Sequence, residues 1–253
     1  MAILTETRDT TGIITINRPN ARNAVNREVA EGIEAALDAF DGDDAVSAVV
    51  ITGAGDMFCA GADLKAAMSD PLGLQTERGG FGGFVKRAFR KPVVAAVNGR
   101  ALGGGFEIVL ACHLVVAADD AELGIPEVKR GLIAAGGGLF RLAQRLPRAV
   151  ALELAMTGDP ITAQRAFELG LVNRIVPRES VVDAAVVLAE GIGRNGPVAV
   201  GLSRRVVESA ANMSDDEGFQ LNDEAAEEIL QSEDFLEGIQ AFVEKREPRW
   251  TGR

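Results

Sequence analysis

Residues 93–113 read Val-Val-Ala-Ala-Val-Asn-Gly-Arg-Ala-Leu-Gly-Gly-Gly-Phe-Glu-Ile-Val-Leu-Ala-Cys-His. The first five are small or β-branched, contain no polar residue and follow Lys91-Pro92. Such an unbroken apolar run reads as a strand buried on both faces. Residues 105–113 are apolar almost all round, which reads as a buried helix. Between the two stand Gly103, Gly104 and Gly105, and the carboxylate of Glu107 falls in the first turn of that helix. A glycine run costs conformational entropy on folding. Its use is to let something come close to the backbone, either another segment or a ligand.

Working outward, the same alternation recurs. Residues 12–17, Gly-Ile-Ile-Thr-Ile-Asn, are β-branched and stop at Arg18-Pro19-Asn20, a turn signal. Val29, Ile33, Ala36, Leu37 and Phe40 share one helical face, closed by Asp41-Gly42-Asp43-Asp44. Residues 48–52 and 115–117 read as further buried strands. Beyond about residue 140 the periodicity predicts helices only, over 141–157, 162–169, 179–194, 196–211, 215–231 and 233–247. Thr162, Gly170 and Pro197 serve as boundary residues. Residues 69–83 are rich in glycine with little periodicity and read as a surface loop, either a plain connector or a lid or substrate wall.

Composition narrows the function classes. With 26 Lys+Arg against 37 Asp+Glu, the net charge of −11 disfavours a general nucleic-acid or anionic-membrane surface, though not a small anionic ligand held by a few local cations. Two cysteines, Cys59 and Cys112, cannot make a disulfide scaffold, and with a single histidine, His113, a Cys/His metal cage is not expected. The opening residues carry acidic and polar side chains, unlike a signal peptide, and no apolar run has the length of a membrane span. The expectation is a cytoplasmic protein with no membrane and no nucleic-acid partner.

The glycine runs fail as phosphate loops. No Lys-Ser/Thr pair follows Gly103-Gly104-Gly105 or Gly136-Gly137-Gly138. Gly53-Ala54-Gly55 follows a strand, but Phe58 stands where a dinucleotide fingerprint has its third glycine, which leaves a nicotinamide enzyme as a weak rival. No Gly-x-Ser-x-Gly nucleophile is present. Cys59 reads as a small buried hydrophobe and His113 as a helix-end residue. Two segments share one design: Phe58-Cys59-Ala60-Gly61-Ala62-Asp63-Leu64-Lys65 and Leu102-Gly103-Gly104-Gly105-Phe106-Glu107 both place small residues at a helix entrance. Helix N-termini present free N–H groups. One donor from each segment could form an oxyanion hole, or the small residues could simply allow close packing. Glu107 falls close to those donors, whereas Glu127, in the otherwise apolar stretch Gly124 to Val128, reads by itself as a solvated loop residue. In one pocket their pKa values would separate, giving an acid and a base.

Over nearly its whole length the chain resembles the crotonase (enoyl-CoA hydratase/isomerase) superfamily. The matching landmarks are Arg18 to Ala24, Phe58 to Lys65, Lys91 to Gly99, Ala101 to Glu107, Pro126-Glu127, Leu154 to Gly158, Ala166 to Val172 and Glu237 to Arg246. The resemblance implies an α/β fold, a ClpP-like spiral of ββα units over residues 1–195, followed by a helical trimerisation region over 196–253. Trimers or dimers of trimers are implied as well. It implies that the N–H groups of Ala62 and Gly104 hold an acyl-CoA thioester oxygen. Arg22, Ala24, Ala60, Asp63, Leu64 and Gly103 are implied for the CoA channel, with Lys65 and the C-terminal Phe242 and Lys245 at its nucleotide end, contributed from a neighbouring subunit. Hydratases of the superfamily carry two glutamates, here Glu107 and Glu127, whereas isomerases usually keep the one at Glu127. The implied reaction is hydration of a trans-2-enoyl-CoA with no metal or other cofactor. A 3-enoyl-CoA isomerase and a non-catalytic acyl-CoA-binding protein are the alternatives. Two departures stand out. Ala134-Ala135-Gly136-Gly137-Gly138 replaces a common Pro-Gly-Ala-Gly-Gly, and His113 replaces an Asp. Residues 66–90 are expected to wall the acyl end, with Met68, Leu72, Leu74, Phe81 and Phe84 as candidates.

Overall fold

A computed structural model describes residues 1–253 apart from Asn212. The chain forms two compact units, Met1–Ala189 and Glu190–Arg253. The strands are β1 (Ile3–Arg8), β2 (Thr11–Ile16), β3 (Ala48–Gly53), β4 (Met57–Cys59), β5 (Gln75–Thr76), β6 (Gly80–Phe81), β7 (Val93–Val97), β8 (Arg100–Leu102), β9 (Leu114–Ala118), β10 (Glu122–Gly124), β11 (Ile161–Thr162) and β12 (Arg174–Val176). The helices are α1 (Arg27–Asp41), α2 (Leu64–Ser69), α3 (Gly104–Ala111), α4 (Gly138–Arg145), α5 (Arg148–Thr157), α6 (Ala163–Glu168), α7 (Val181–Gly193), α8 (Pro197–Ser209), α9 (Asp215–Leu230) and α10 (Glu233–Glu244).

In the first unit the large sheet runs β1-β2-β3-β7-β9-β12 and a smaller one runs β11-β10-β8-β4. The repeat is a ββα unit. β3, β7 and β9 lie side by side in the large sheet, while the strand that follows each, β4, β8 and β10, enters the small sheet. β3 and β7 are buried at every position, as their unbroken apolar runs predict. β1 lies on an edge, and five of its six residues are exposed. α1 is capped by the Asn26 side chain, which accepts from Val29 N, and buries Val29, Ile33, Ala36, Leu37 and Phe40.

Four expectations are corrected. Residues 141–157 are not one helix: the chain breaks at Leu146-Pro147 and divides into α4 and α5. Proline lacks an N–H and pushes its predecessor out of the helical region, and Leu146 is accordingly extended, with φ −127° and ψ 154°. The region beyond residue 140 is not wholly helical, because β12 returns to pair with β9 in the large sheet. Residues 69–83 are more than a loop, since they hold a 3-10 turn at Pro71–Leu74 and the β5–β6 hairpin. His113 lies beyond α3. Its Nδ1 accepts from Val93 N (2.7 Å) and its own N–H donates to Val93 O (2.9 Å), which ties the start of β7 to the end of the helix.

The second unit packs α8 against α9. Ser214 and Glu217 form a capping box at the start of α9. The buried Asp234 of α10 accepts from Thr251 N (2.7 Å) and Gly252 N (3.1 Å), holding the terminal segment in place. Leu236, Ile239, Phe242 and Val243 stand out from α10, between 51% and 85% exposed.

Candidate active site

β4, β8 and β10 are parallel neighbours, with Cys59 paired to Ala101 and Gly124 to Leu102. Parallel register means that whatever follows each strand emerges at the same end of the sheet. Those following segments carry Ala62, Gly104 and Glu127. Ligands of α/β proteins commonly bind at such carboxyl ends.

The first two segments touch. A Cβ on Gly61 would lie 2.8 Å from Leu102 O and 2.9 Å from Gly104 N, so only glycine fits there. The N–H groups of Ala62 and Gly104 have no protein acceptor among the described residues. Gly104 is the first residue of α3, so its amide also lies at the positive end of that helix. A Cβ on Gly104 would fall inside the Phe81 ring, which closes that side of the donor.

Glu107 sits on the fourth residue of α3 and is 3% exposed. Its Oε1 accepts from Gly138 N (2.8 Å), and the Gly136 amide also bonds the carboxylate. Burial pushes its pKa up, while these amides and the Arg141 charge pull against that rise. Glu127 lies on the 3-10 turn Pro126–Arg130 that follows β10. Its Oε1 would be 3.1 Å from a Cβ on Gly103, so the carboxyl stands beside the glycine run. Its Oε2 is buried with no hydrogen-bond partner. Burial raises its pKa, and repulsion from Glu107 raises it further against its own backbone amide. The Ala134-Ala135 segment leaves the cradle intact, since Gly136 and Gly138 still bond Glu107.

A cleft of about 850 Å³ adjoins these groups, within the roughly 300–1,000 Å³ usual for small-molecule sites. Ala60, Leu102 and Pro126 line it, each within two residues of Ala62, Gly104 or Glu127. Arg22 and Leu64 line it too. Arg22 adopts φ 53° at the end of the Pro19–Ala21 turn, and its neighbour Asn23 follows at φ 55°. The buried Asn23 side chain fixes this bend. It accepts from Arg18 N and donates to the carbonyls of Ala54 (2.9 Å) and Met57 (2.6 Å). That linkage explains the Arg18-to-Ala24 landmark as a brace for the cleft wall.

Ala24, Asp63, Lys65, Phe242 and Lys245 are not among the residues that line this cleft. Ala24 is buried. Asp63 caps α2 by accepting from Ala66 N and pairs with Arg18 at 3.0 Å. Lys65 is exposed on α2. Phe242 and Lys245 lie in the second unit, Phe242 85% exposed and Lys245 closing α10 in a left-handed conformation. Phe84 is a correction: it is 2% exposed and belongs to the core, while Phe81 takes the wall position. Sequence reading missed Arg130, a cleft cation that has no carboxylate partner among the described residues and lies three residues after Glu127. Arg100, Lys129 and Arg178 also line the cleft but are paired with Glu122, Asp159 and Asp120. Cys59 is buried and its thiol is pushed up to about 12, which leaves no thiolate for nucleophilic attack. No group of three or more His, Cys, Asp or Glu side chains among the described residues is arranged to hold a metal ion. No described helix is long and apolar enough to cross a membrane.

Comparison with known proteins gives the same picture. The enoyl-CoA hydratase/isomerase family model matches residues 6–253. An enoyl-CoA hydratase of Mycobacterium tuberculosis is 38% identical over 256 residues, covering 99% of this chain and 96% of that protein. A carnitinyl-CoA dehydratase of Proteus mirabilis is 38% identical over 247 residues, covering 95% and 94%. The crystal structure of an enoyl-CoA hydratase from Mycobacterium tuberculosis H37Rv superimposes with a TM-score of 0.94 at 48% identity, covering 100% of this chain and 99% of that one. With its ββα repeats and the three strand ends that converge on one cleft, the chain belongs to the enoyl-CoA hydratase/isomerase family.

Proposed function

We propose that this protein hydrates a trans-2-enoyl-CoA to the 3-hydroxyacyl-CoA, with Ala62 and Gly104 as the oxyanion hole and Glu107 and Glu127 as the base and acid. The observation that carries this is the convergence, at one end of the small sheet, of two unengaged amides, the buried Glu107 and the half-buried Glu127, both carboxyls with raised pKa values.

The thioester oxygen sits between the N–H groups of Ala62 and Gly104, which favour negative charge there. Glu107 takes a proton from water as the water oxygen bonds to C3. The C2–C3 π pair moves into the thioester as an enolate, which the two amides stabilise. Loss of one such donor typically costs about 3 kcal/mol of that stabilisation. Glu127, whose pKa burial and its neighbour's charge both raise, gives its proton to C2. Proton exchange between the carboxyls and solvent resets the site. Each acid/base role contributes roughly 10²–10⁴-fold. None of these steps calls for a metal or redox group.

Arg22 and Arg130, cations on the cleft without carboxylate partners, suit the phosphates of CoA. Ala24, Ala60, Asp63, Leu64, Lys65 and Gly103 shape or brace the channel, and Phe242 and Lys245 complete its nucleotide end in a trimer or dimer of trimers. Two buried free cysteines suit the reducing cytoplasm. The test is incubation with crotonyl-CoA and longer enoyl-CoAs, following loss of the conjugated thioester absorbance and gain of one water in product mass. Hydration of at least one is expected. Acyl-CoA binding with no hydration at any chain length overturns the reading, and conversion of a 3-enoyl-CoA alone replaces it with isomerisation.

A further inference from the structure

Arg141, on α4, is a half-buried cation that no motif singled out. One end of its fork donates to the Gly136 carbonyl (3.3 Å) and the other to the Val85 carbonyl (2.6 Å), and the guanidinium lies 5.0 Å from the centre of the Phe140 ring. The two carbonyls belong to different parts of the site. Gly136 begins the short loop whose amides hold Glu107. Val85 follows the β5–β6 hairpin that lays Phe81 against Gly104. One side chain therefore joins the cradle of the carboxylate to the wall beside the oxyanion donor. A guanidinium fork can hold two carbonyls at a fixed angle in a way that an ammonium cannot.

We propose that Arg141 is a positioning residue for the hydration: it ties the Gly136–Gly138 loop to the Phe81 hairpin, and so orients the Glu107 carboxylate and sets a positive charge facing it. The inference rests on the hydratase reading above. The charges that bear on it are few. Glu107 faces Arg141 and Glu127. Arg141 in turn faces Glu107 and the Cys112 thiol, with Arg145 beyond on the same helix. Cys112 is buried and its thiol is pushed up to about 12, so it carries no charge at neutral pH. Arg145 donates to the carbonyls of Leu110 (3.2 Å) and Cys112 (3.1 Å), one turn away from the Glu107 cradle.

The experiment compares Arg141→Gln and Arg141→Lys with the intact enzyme on crotonyl-CoA. Arg141→Gln should lower kcat about tenfold or more while KM changes less than about threefold, since the contact is not to the CoA moiety. The acidic limb of its kcat profile should move to higher pH, because burial of Glu107 is then less opposed. Arg141→Lys should return the limb and part of kcat. Full activity in Arg141→Gln, or a loss with an unmoved acidic limb, overturns the proposal. A second readout does not need turnover: carbon-13 NMR titration of side-chain-labelled glutamate, with Glu107 assigned from Glu107→Gln. Glu107 should titrate at higher pH in Arg141→Gln, or in Arg141→Met if the glutamine variant does not fold, and an unchanged midpoint overturns the proposal. If the intact protein hydrates nothing yet Glu107 still shifts, the activity reading fails while the positioning role of Arg141 at Glu107 stands.

Discussion

Glu107 is a buried carboxyl and Glu127 a half-buried one, and the protein holds them differently. Glu107 has two amides and a nearby guanidinium to favour its charged form. Glu127 has an orphaned buried Oε2 and the Glu107 charge against it. Under the proposed function this asymmetry is what would separate a base from an acid without any difference in residue type. It also has a cost in stability. Below the ordinary value of 4.5, Glu127 is protonated whether the chain is folded or unfolded, and the site costs nothing. As pH rises past 4.5 the unfolded chain ionises first, and folding stability is lost up to the raised folded-state pKa. Glu127→Gln should therefore lower kcat by about 10²-fold or more. It should raise the melting temperature near pH 7 by about 2–4 °C, the equivalent of about 1 kcal/mol. That gain should vanish near pH 4. Calorimetry across this range checks it, and a pH-independent gain would place the strain somewhere other than the carboxyl.

At the scale of elements, the site is made by where short strands end. β4, β8 and β10 have three residues each, too few to show a period, so the spacing of the sequence revealed β3 and β7 but not the sheet that carries the candidate site. The long apolar runs, the α1 stripe and the caps at Thr162 and Pro197 were legible because each leaves its own local mark. The Leu146-Pro147 break was equally written in the chain, but the apolar period on both sides masked it. Glu107 and Glu127 were legible as types, and the resemblance singled them out. Their burial, and the Arg141 clasp, needed the tertiary fold. The contact between α3 and the hairpin gives an element-scale prediction. Gly104→Ala forces a methyl into the Phe81 ring and must displace either the ring or the Gly104 amide. Activity should fall about 10²-fold or more, as when an oxyanion donor is lost. Phe81→Ala in the same chain should recover part of it, because the methyl then has room. Equal losses in the single and double variants would mean that the ring is not what Gly104 accommodates.

At the scale of the whole molecule, the second unit displays an apolar face that its own fold does not use. Leu236, Ile239, Phe242 and Val243 recur at helical spacing on α10, and each is at least half exposed. Single exposed apolar residues are ordinary, but a row on one helix is the mark of a contact surface. Under the proposed assembly this row meets another copy, which would also bring Phe242 and Lys245 to the nucleotide end of a neighbour's acyl-CoA. Sedimentation should then give three or six times 26.6 kDa for the intact chain. Phe242→Asp with Val243→Asp should shift the mass toward a single copy, since a carboxylate in an apolar contact is costly to bury. In that variant KM for crotonyl-CoA should rise, while the Glu107 and Glu127 chemistry, built wholly within Met1–Ala189, keeps its pH profile. An intact protein that sediments as one copy, or a double variant that keeps the full mass and KM, would remove α10 from the subunit contact and leave the catalytic unit self-sufficient.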